Sequence, residues 1–284
     1  MTLPAVVGVV GAGRMGAGIA HVFAMAGSEV RVLESDPNAV ARAGATIDRY
    51  ASRAASPTAD VSEGRARATD VTFVTAVGGL AGADLVIEAV PEEAHLKAAV
   101  LADVEQAVGP QTWLASNTSS LSIDALAESL QRPERLCGLH FFNPVPSSAL
   151  VEIVRGTLTD HDLVAAARDW VSSLGKAAIV VRDSPGFASS RLGLALGLEA
   201  IRMVEEDVAS PADIDEAMVL GYRHPMGPLR LTDLVGLDVR LGIAEHLHRE
   251  LGERFAPPEL LRRMVAEGRL GRKTGRGFYE WSEE

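Results

Sequence analysis

The chain carries a single cysteine, Cys137, in 284 residues. One thiol excludes an internal disulfide and fits a reducing, cytoplasmic compartment. Set near Leu136 and Leu139, it reads as a small buried filler rather than a reactive nucleophile. No stretch reaches the ~18 uncharged apolar residues that a membrane helix requires. The opening MTLPAVVGVVGAG has no basic segment ahead of its apolar run, which leads straight into glycines, so it reads as a strand and not a signal peptide. There is no internal repeat and no low-complexity tract. Positive charge is also scarce: 27 Lys plus Arg against 38 Asp plus Glu give a formal net charge of −11, which excludes a general nucleic-acid or anionic-membrane binder. The basic residues that are present crowd into RRMVAEGRLGRKTGR, 262–276, where six of them face one acid, Glu267. That local net of +5 leaves −16 on the remainder. It fits a solvated helix face and tail, or a local attraction for a phosphorylated small molecule.

With 47% hydrophobic residues, the chain is long enough for one large or two ordinary domains. AVVGVV, EVRVLES, VTFVT, LVIEAV and TWLAS are short and β-rich. Between them lie helical patterns such as Met15, Ile19, Val22, Phe23 and Ala26, closed by Gly27. Strands alternating with helices predict a parallel sheet covered on both faces, a Rossmann-type doubly wound α/β domain. LVEIVRG and AIVVRDS extend the strand pattern to about residue 182. DSPGF breaks regular structure, and beyond it no convincing strand is seen until the last few residues. A smaller all-α domain is expected over 183–284, after a dinucleotide-binding domain over 1–182. RLGLALGLEAIRMVEE is apolar around most of its circumference and predicts a helix with partners on several sides, a second subunit among them. Gly193 and Gly197 would allow close approach of another helix, and SPADIDEAM starts a capped helix at Ser210.

VVGVVGAGRMGAGIA spaces Gly11, Gly13 and Gly16 as GxGxxG between a strand and a helix. The glycines permit a tight turn, close approach of a pyrophosphate and helix–strand packing, and the amides of Ala12, Arg14 and Met15 lie along the same turn. The helix N-terminus then attracts phosphate through its free N–H groups. Glu34 ends the second strand, eighteen residues after Gly16. A carboxylate there accepts hydrogen bonds from a ribose diol and repels a 2′-phosphate, which favours NAD over NADP. Asp36 competes for that role but better suits the start of the next helix.

LHFFNPVPSSALVEIV, 139–154, sets His140 among apolar neighbours and Glu152 inside an apolar strand. Burying either group costs several kcal/mol unless it is paired, so each is expected to partner the other. Beside a dinucleotide domain, such a pair points to hydride transfer. Oxidising a secondary alcohol releases a proton that neutral imidazole is suited to accept, while a carboxylate on the other ring nitrogen fixes the tautomer. A purely structural pair has the same appearance in sequence.

GAGRMGAGIA, EAVPEEAHLK, ASNTSSLSI, GLHFFNPVP with LVEIV, DSPGF, HPMGPLRLTDLVGLD and GRKTGRGFY together resemble the L-3-hydroxyacyl-CoA dehydrogenases, in particular the bacterial 3-hydroxybutyryl-CoA branch, over nearly the whole length. The resemblance implies His140 as base, Glu152 as its orienting partner and Ser119 as the hydroxyl on the substrate oxygen. It further implies Glu92, Lys97 and Asn143 near the nicotinamide ribose, and Lys273 reaching the cofactor from the C-terminal segment. An acyl-CoA substrate, NAD as cofactor, no metal, and a homodimer formed through the C-terminal helices follow from it as well.

One departure stands out. Ser190 in FASSR takes the place of the family's usual asparagine, which helps hold the thioester or its water network. Serine offers one hydroxyl where an amide has a separate donor and acceptor, so Ser190 puts the substrate in question more than the reaction. The segment from Asp36 to Arg67 is also short for the family's CoA-clamping arm, and at their spacing Arg42, Arg49 and Arg53 read as surface helix charge. Two alternatives stand beside the acyl-CoA reading: a dehydrogenase of a CoA-free hydroxy acid or carnitine-like substrate, and a non-catalytic NAD-binding module.

Overall fold

The computed structural model describes residues 3–54 and 71–282, and its internal contacts divide the chain into Met1–Ser184 and Pro185–Glu284.

The first unit is built on eight strands: β1 Val6–Val10, β2 Glu29–Leu33, β3 Val71–Val74, β4 Leu85–Glu88, β5 Trp113–Ser116, β6 Leu136–Phe141, β7 Leu150–Arg155 and β8 Ala177–Arg182. They form one sheet in the order β3-β2-β1-β4-β5-β6-β7-β8. Every neighbouring pair is parallel except β6–β7, where His140 faces Glu152 in antiparallel register. All residues of β4 and β6 are buried, as expected of central strands covered on both faces.

The helices of this unit are α1 Arg14–Met25, α2 Pro37–Ala54, α3 Ala94–Ala107, α4 Ile123–Ala127 and α5 His161–Ser173. In α1 the predicted stripe faces the sheet, with Ile19 and Phe23 at most 1% exposed, each contributing roughly 1.5–3 kcal/mol by burial. Gly27, at φ +102°, follows the end of α1 in a conformation that favours glycine. Asp36 starts α2, its carboxylate accepting the Asn38 N–H at 2.9 Å. After β1 the chain builds β2 and β3, then returns to the other side of β1 as β4. The strand order therefore reverses between β1 and β4, which opens a crevice at their C-terminal ends.

The second unit contains α6 Ser189–Glu205, α7 Pro211–Glu216, α8 Pro228–Val235, α9 Leu237–Leu251 and α10 Glu259–Ala266. Leu194, Leu198, Ile201, Leu229, Leu247 and Leu261 form its core. Gly197 brings α6 close to α8, since a side chain there would lie 3.3 Å from the Thr232 hydroxyl. Ser210 caps α7 through the Asp213 N–H, with Pro211 in its first turn. Within this unit α6 is not enclosed all round, because Leu192 remains 71% exposed. At the C-terminus the chain makes isolated bridges, Gly271 with Arg276 and Arg276 with Glu280, rather than a strand. Of the basic cluster, Arg269 pairs with Glu267 inside the segment, and Arg262, Lys273 and Arg276 pair with Glu245, Asp238 and Glu280 outside it, so three outside acids answer part of the +5. Among the described residues no helix is long and apolar enough to cross a membrane.

Candidate active site

The crevice holds a cavity of about 1050 Å³. Gly11 through Met15 form one wall, Glu34 another, Ala89–Pro91 and Asn143–Pro144 a third, and residues of α2 line the remainder. Each glycine of the turn has a physical reason. Gly11 has φ +98° and would bring a side chain to 3.0 Å from the Ala89 carbonyl. A side chain at Gly16 would collide with the Gly11 carbonyl, whereas one at Gly13 would meet nothing within 4 Å. Gly13 thus faces open space at the start of α1, whose first-turn amides have no intrahelical acceptors and whose first turn carries no acid. An anionic pyrophosphate fits that environment.

Glu34 does two things here. It lines the cavity, and its carboxylate accepts the Ala12 N–H at 3.3 Å and the Ser35 and Asp36 N–H groups at 2.9 and 3.0 Å. Arg42, Arg49 and Arg53, assigned from spacing to a solvated helix face, line the same cavity from α2. Helix periodicity alone could not reveal that this face turns toward the crevice. Of the segment from Asp36 to Arg67, compared in length with the family's CoA-clamping arm, Pro37–Ala54 form α2 and residues 55–67 lie outside the described residues.

His140 and Glu152 meet as the hairpin register requires, with Nδ1 2.7 Å from Oε2 and Glu152 fully buried. A carboxylate on Nδ1 leaves Nε2 as the ring's proton acceptor. The Phe142 ring lies 4.4 Å from the imidazole, centroid to centroid. The turn between β6 and β7 is secured by a residue the sequence reading did not single out: Lys176 Nζ donates to the Val145 and Ser148 carbonyls at 2.7 and 2.6 Å. Its ammonium is separated from those carbonyls by about thirty residues of chain, so no local pattern announces it. Burial lowers its pKa from the ordinary lysine value.

Ser119 follows β5 as His140 closes β6, and parallel neighbours bring both to the same edge of the sheet. Asn117 ties the two together, its side-chain oxygen accepting the Phe141 N–H at 3.0 Å. Glu92 then gathers the SNTSS loop. Its Oε1 accepts the Thr118 hydroxyl at 2.7 Å, the Ser119 and Ser120 N–H groups at 2.8 and 3.1 Å, and the Ser119 hydroxyl at 3.1 Å. Burial would raise the Glu92 pKa, but the Thr118 hydroxyl, Lys97 and Ser119 outweigh it and hold it below the ordinary glutamate value.

Lys97 was expected to touch the cofactor. Instead its side chain has no exposed surface, and Nζ is enclosed by Glu88 at 2.7 Å, the Val90 carbonyl at 3.2 Å and Glu92 at 3.4 Å. A fully enclosed ammonium has no face to offer a ligand, so its link to the site runs through Glu92. Glu88 and Ser116 complete this cluster and were not foreseen. An acid interrupting the apolar LVIEAV was the available signal, the same one that flagged Glu152. Ser190 and Lys273 belong to the second unit. Ser190 lies partly exposed in the first turn of α6, and Lys273 Nζ lies 2.6 Å from both oxygens of Asp238.

The sequence matches the family model for the 3-hydroxyacyl-CoA dehydrogenase NAD-binding domain over residues 6–184. It matches the model for the C-terminal domain of the same enzymes over 186–281. It is 45% identical over 279 residues to a 3-hydroxybutyryl-CoA dehydrogenase of Mycobacterium tuberculosis, covering 97% of this chain and 98% of that one. A 3-hydroxyadipyl-CoA dehydrogenase of Escherichia coli is 40% identical across 98% of this chain and 59% of its own length. Among solved structures, (S)-3-hydroxybutyryl-CoA dehydrogenase from Ralstonia eutropha superposes with a TM-score of 0.94 at 41% identity, covering 99% and 100% of the two chains. A GxGxxG crevice, a glutamate lining it and a His–Glu pair at the same sheet edge agree with these matches: the chain belongs to the NAD-binding 3-hydroxyacyl-CoA dehydrogenase family of oxidoreductases.

Proposed function

We propose that the protein interconverts L-3-hydroxyacyl-CoA and 3-ketoacyl-CoA with NAD, acting on short acyl chains such as 3-hydroxybutyryl-CoA. The observation that carries the reading is the 2.7 Å contact between His140 Nδ1 and the buried Glu152 carboxylate, on the strand that leads into the cavity wall at Asn143. Gly11–Met15 would hold the pyrophosphate of NAD and Glu34 its ribose, and the cofactor so held would supply the hydride acceptor. His140 Nε2 takes the hydroxyl proton during oxidation and returns it during reduction. Glu152 keeps Nδ1 protonated and stabilises the imidazolium. Ser119, whose hydroxyl donates to Glu92 while no substrate is bound, would turn that one proton to the substrate oxygen, and Asn143 and Glu92 border the cofactor. Lys273 is assigned as a further cofactor contact and Ser190 as a substrate contact. Arg42, Arg49 and Arg53 give the cavity a cationic wall suited to the phosphates of CoA.

The surroundings of this reading are a cytoplasmic homodimer. Leu231, Leu234, Val235 and Val239, between 37% and 44% exposed along α8 and α9, supply an apolar surface for a second copy. NADH consumption with a panel of short, long and dicarboxylic 3-ketoacyl-CoAs tests the function. Acetoacetyl-CoA should be among the best substrates. Turnover of CoA-free keto acids alone would favour the CoA-independent alternative, and tight NADH binding without any turnover would favour a binding module.

A further inference from the structure

Behind the Ala89–Pro91 corner lie two charges that the proton transfer does not use. Glu88 and Lys97 side chains are both 0% exposed and 2.7 Å apart. Desolvating such a pair costs several kcal/mol per ion, and apolar residues of similar volume often stabilise as well or better. Stability alone is therefore a poor reason for the pair. What apolar residues could not do is direct polar groups. Glu88 Oε1 also accepts the Val90 N–H at 2.7 Å, and its Oε2 accepts the Ser116 hydroxyl at 2.6 Å. Lys97 holds the Val90 carbonyl at 3.2 Å, so this residue of the cavity wall is gripped by both its backbone groups. The same ammonium lies 3.4 Å from Glu92 Oε2. With one oxygen drawn to Lys97, the other is turned to the loop, where it receives the Ser119 hydroxyl.

We propose that Glu88 and Lys97 are positioning residues, which fix the orientation of Glu92; Glu92 in turn holds the Ser119 and Ser120 N–H groups, so that the Ser119 hydroxyl can turn from Glu92 to the substrate oxygen without the loop moving. This rests on the role given to Ser119 above. Ser116 steadies the far side of Glu88, and the chain of contacts runs Ser116–Glu88–Lys97–Glu92–Ser119.

The test begins with acetoacetyl-CoA turnover by the unmodified enzyme; its absence would overturn the parent reading together with this one. The double variant Glu88→Gln/Lys97→Met removes both charges and leaves neither unpaired. It should lower kcat by ~10²-fold, the scale of a misplaced group, while the NADH dissociation constant, read by fluorescence, changes less than about threefold. Adding Ser119→Ala should cost nothing beyond Ser119→Ala alone, because groups acting in series are not additive. Full multiplication of the two losses, or an unchanged kcat in the double variant, would overturn the proposal. Should the double variant not fold, Ser116→Ala carries the same cycle. It removes one donor from Glu88 and should cost ~3–10-fold, the scale of one hydrogen bond, again with no added loss on Ser119→Ala.

Discussion

Both units bury carboxylates, and the two sets hold different things. In the first unit Glu152 faces an imidazole, and Glu88 an ammonium and a serine hydroxyl. In the second, Asp215 and Asp233, 7% and 1% exposed, face mainly backbone. Asp215 accepts the Leu229 and Arg230 N–H groups at the start of α8, each at 2.8 Å. Asp233 accepts the Phe278 and Tyr279 N–H groups and the Trp281 indole, binding the C-terminal segment to α8. Side chains at Gly227 and Gly277 would collide with these two aspartates, which explains the small residues there. Backbone amides neither exchange protons with substrate nor reorient, so these acids are fasteners. Burial of a carboxylate therefore says little about function; the chemistry of its partner says more.

That contrast breaks if the wrong acid controls the rate. His140→Ala should reduce kcat by ~10²–10⁴-fold, the range for a positioned general base, with NADH affinity and melting temperature nearly unchanged. An active variant would refute the assignment. Asp233→Ala should do the opposite. Stranding two amides and an indole N–H costs roughly 2–4 kcal/mol, read by urea unfolding. At saturating NADH the folded fraction should keep kcat within about threefold. A collapse of kcat without loss of stability would place Asp233 in the chemistry.

The cofactor side of the comparison is sharpened by Glu34, which both accepts the amides of its own turn and lines the cavity. Glu34→Ala should weaken NAD binding by about tenfold, the scale of one or two charge-assisted hydrogen bonds, and narrow the preference over NADPH. If the unmodified protein prefers NADPH, this reading of the carboxylate fails.

Glu34, the glycine turn and the His140–Glu152 pair were legible in sequence because local geometry sets each one. A strand end, a helix start and a hairpin register are all fixed within about twenty residues. The role of Lys97 was misjudged because its partners are fixed by the fold: Glu88 comes from the end of β4, and Glu92 is turned by a loop that follows β5. Lys176 was missed for the same reason, its two carbonyls lying 31 and 28 residues away. For the basic cluster near the C-terminus the charge balance was not legible either, because the acids paired with Arg262 and Lys273 come from α9.

The smallest expected effect tests whether a buried group without a reactive partner still leaves a mark. His21 of α1 is 3% exposed, its Nδ1 has no hydrogen-bond partner among the described residues, and its ring lies 5.5 Å from Tyr50 on α2. Burial lowers its pKa below 6.5, so between the folded value and 6.5 the unfolded chain binds more protons than the native one. Stability must then rise with pH through that window, and its full contribution is present above 6.5 and lost as pH falls toward the folded value. Glu92, also lowered, acts in the same direction but only below the ordinary glutamate value of 4.5, so its contribution begins two pH units lower than that of His21. His21→Gln cannot be protonated, and just below pH 6.5 its melting temperature should depend less on pH than that of the unmodified protein. Equal slopes would mean that protonated His21 is solvated in the native state, and that α1 and α2 part more easily than their packing implies.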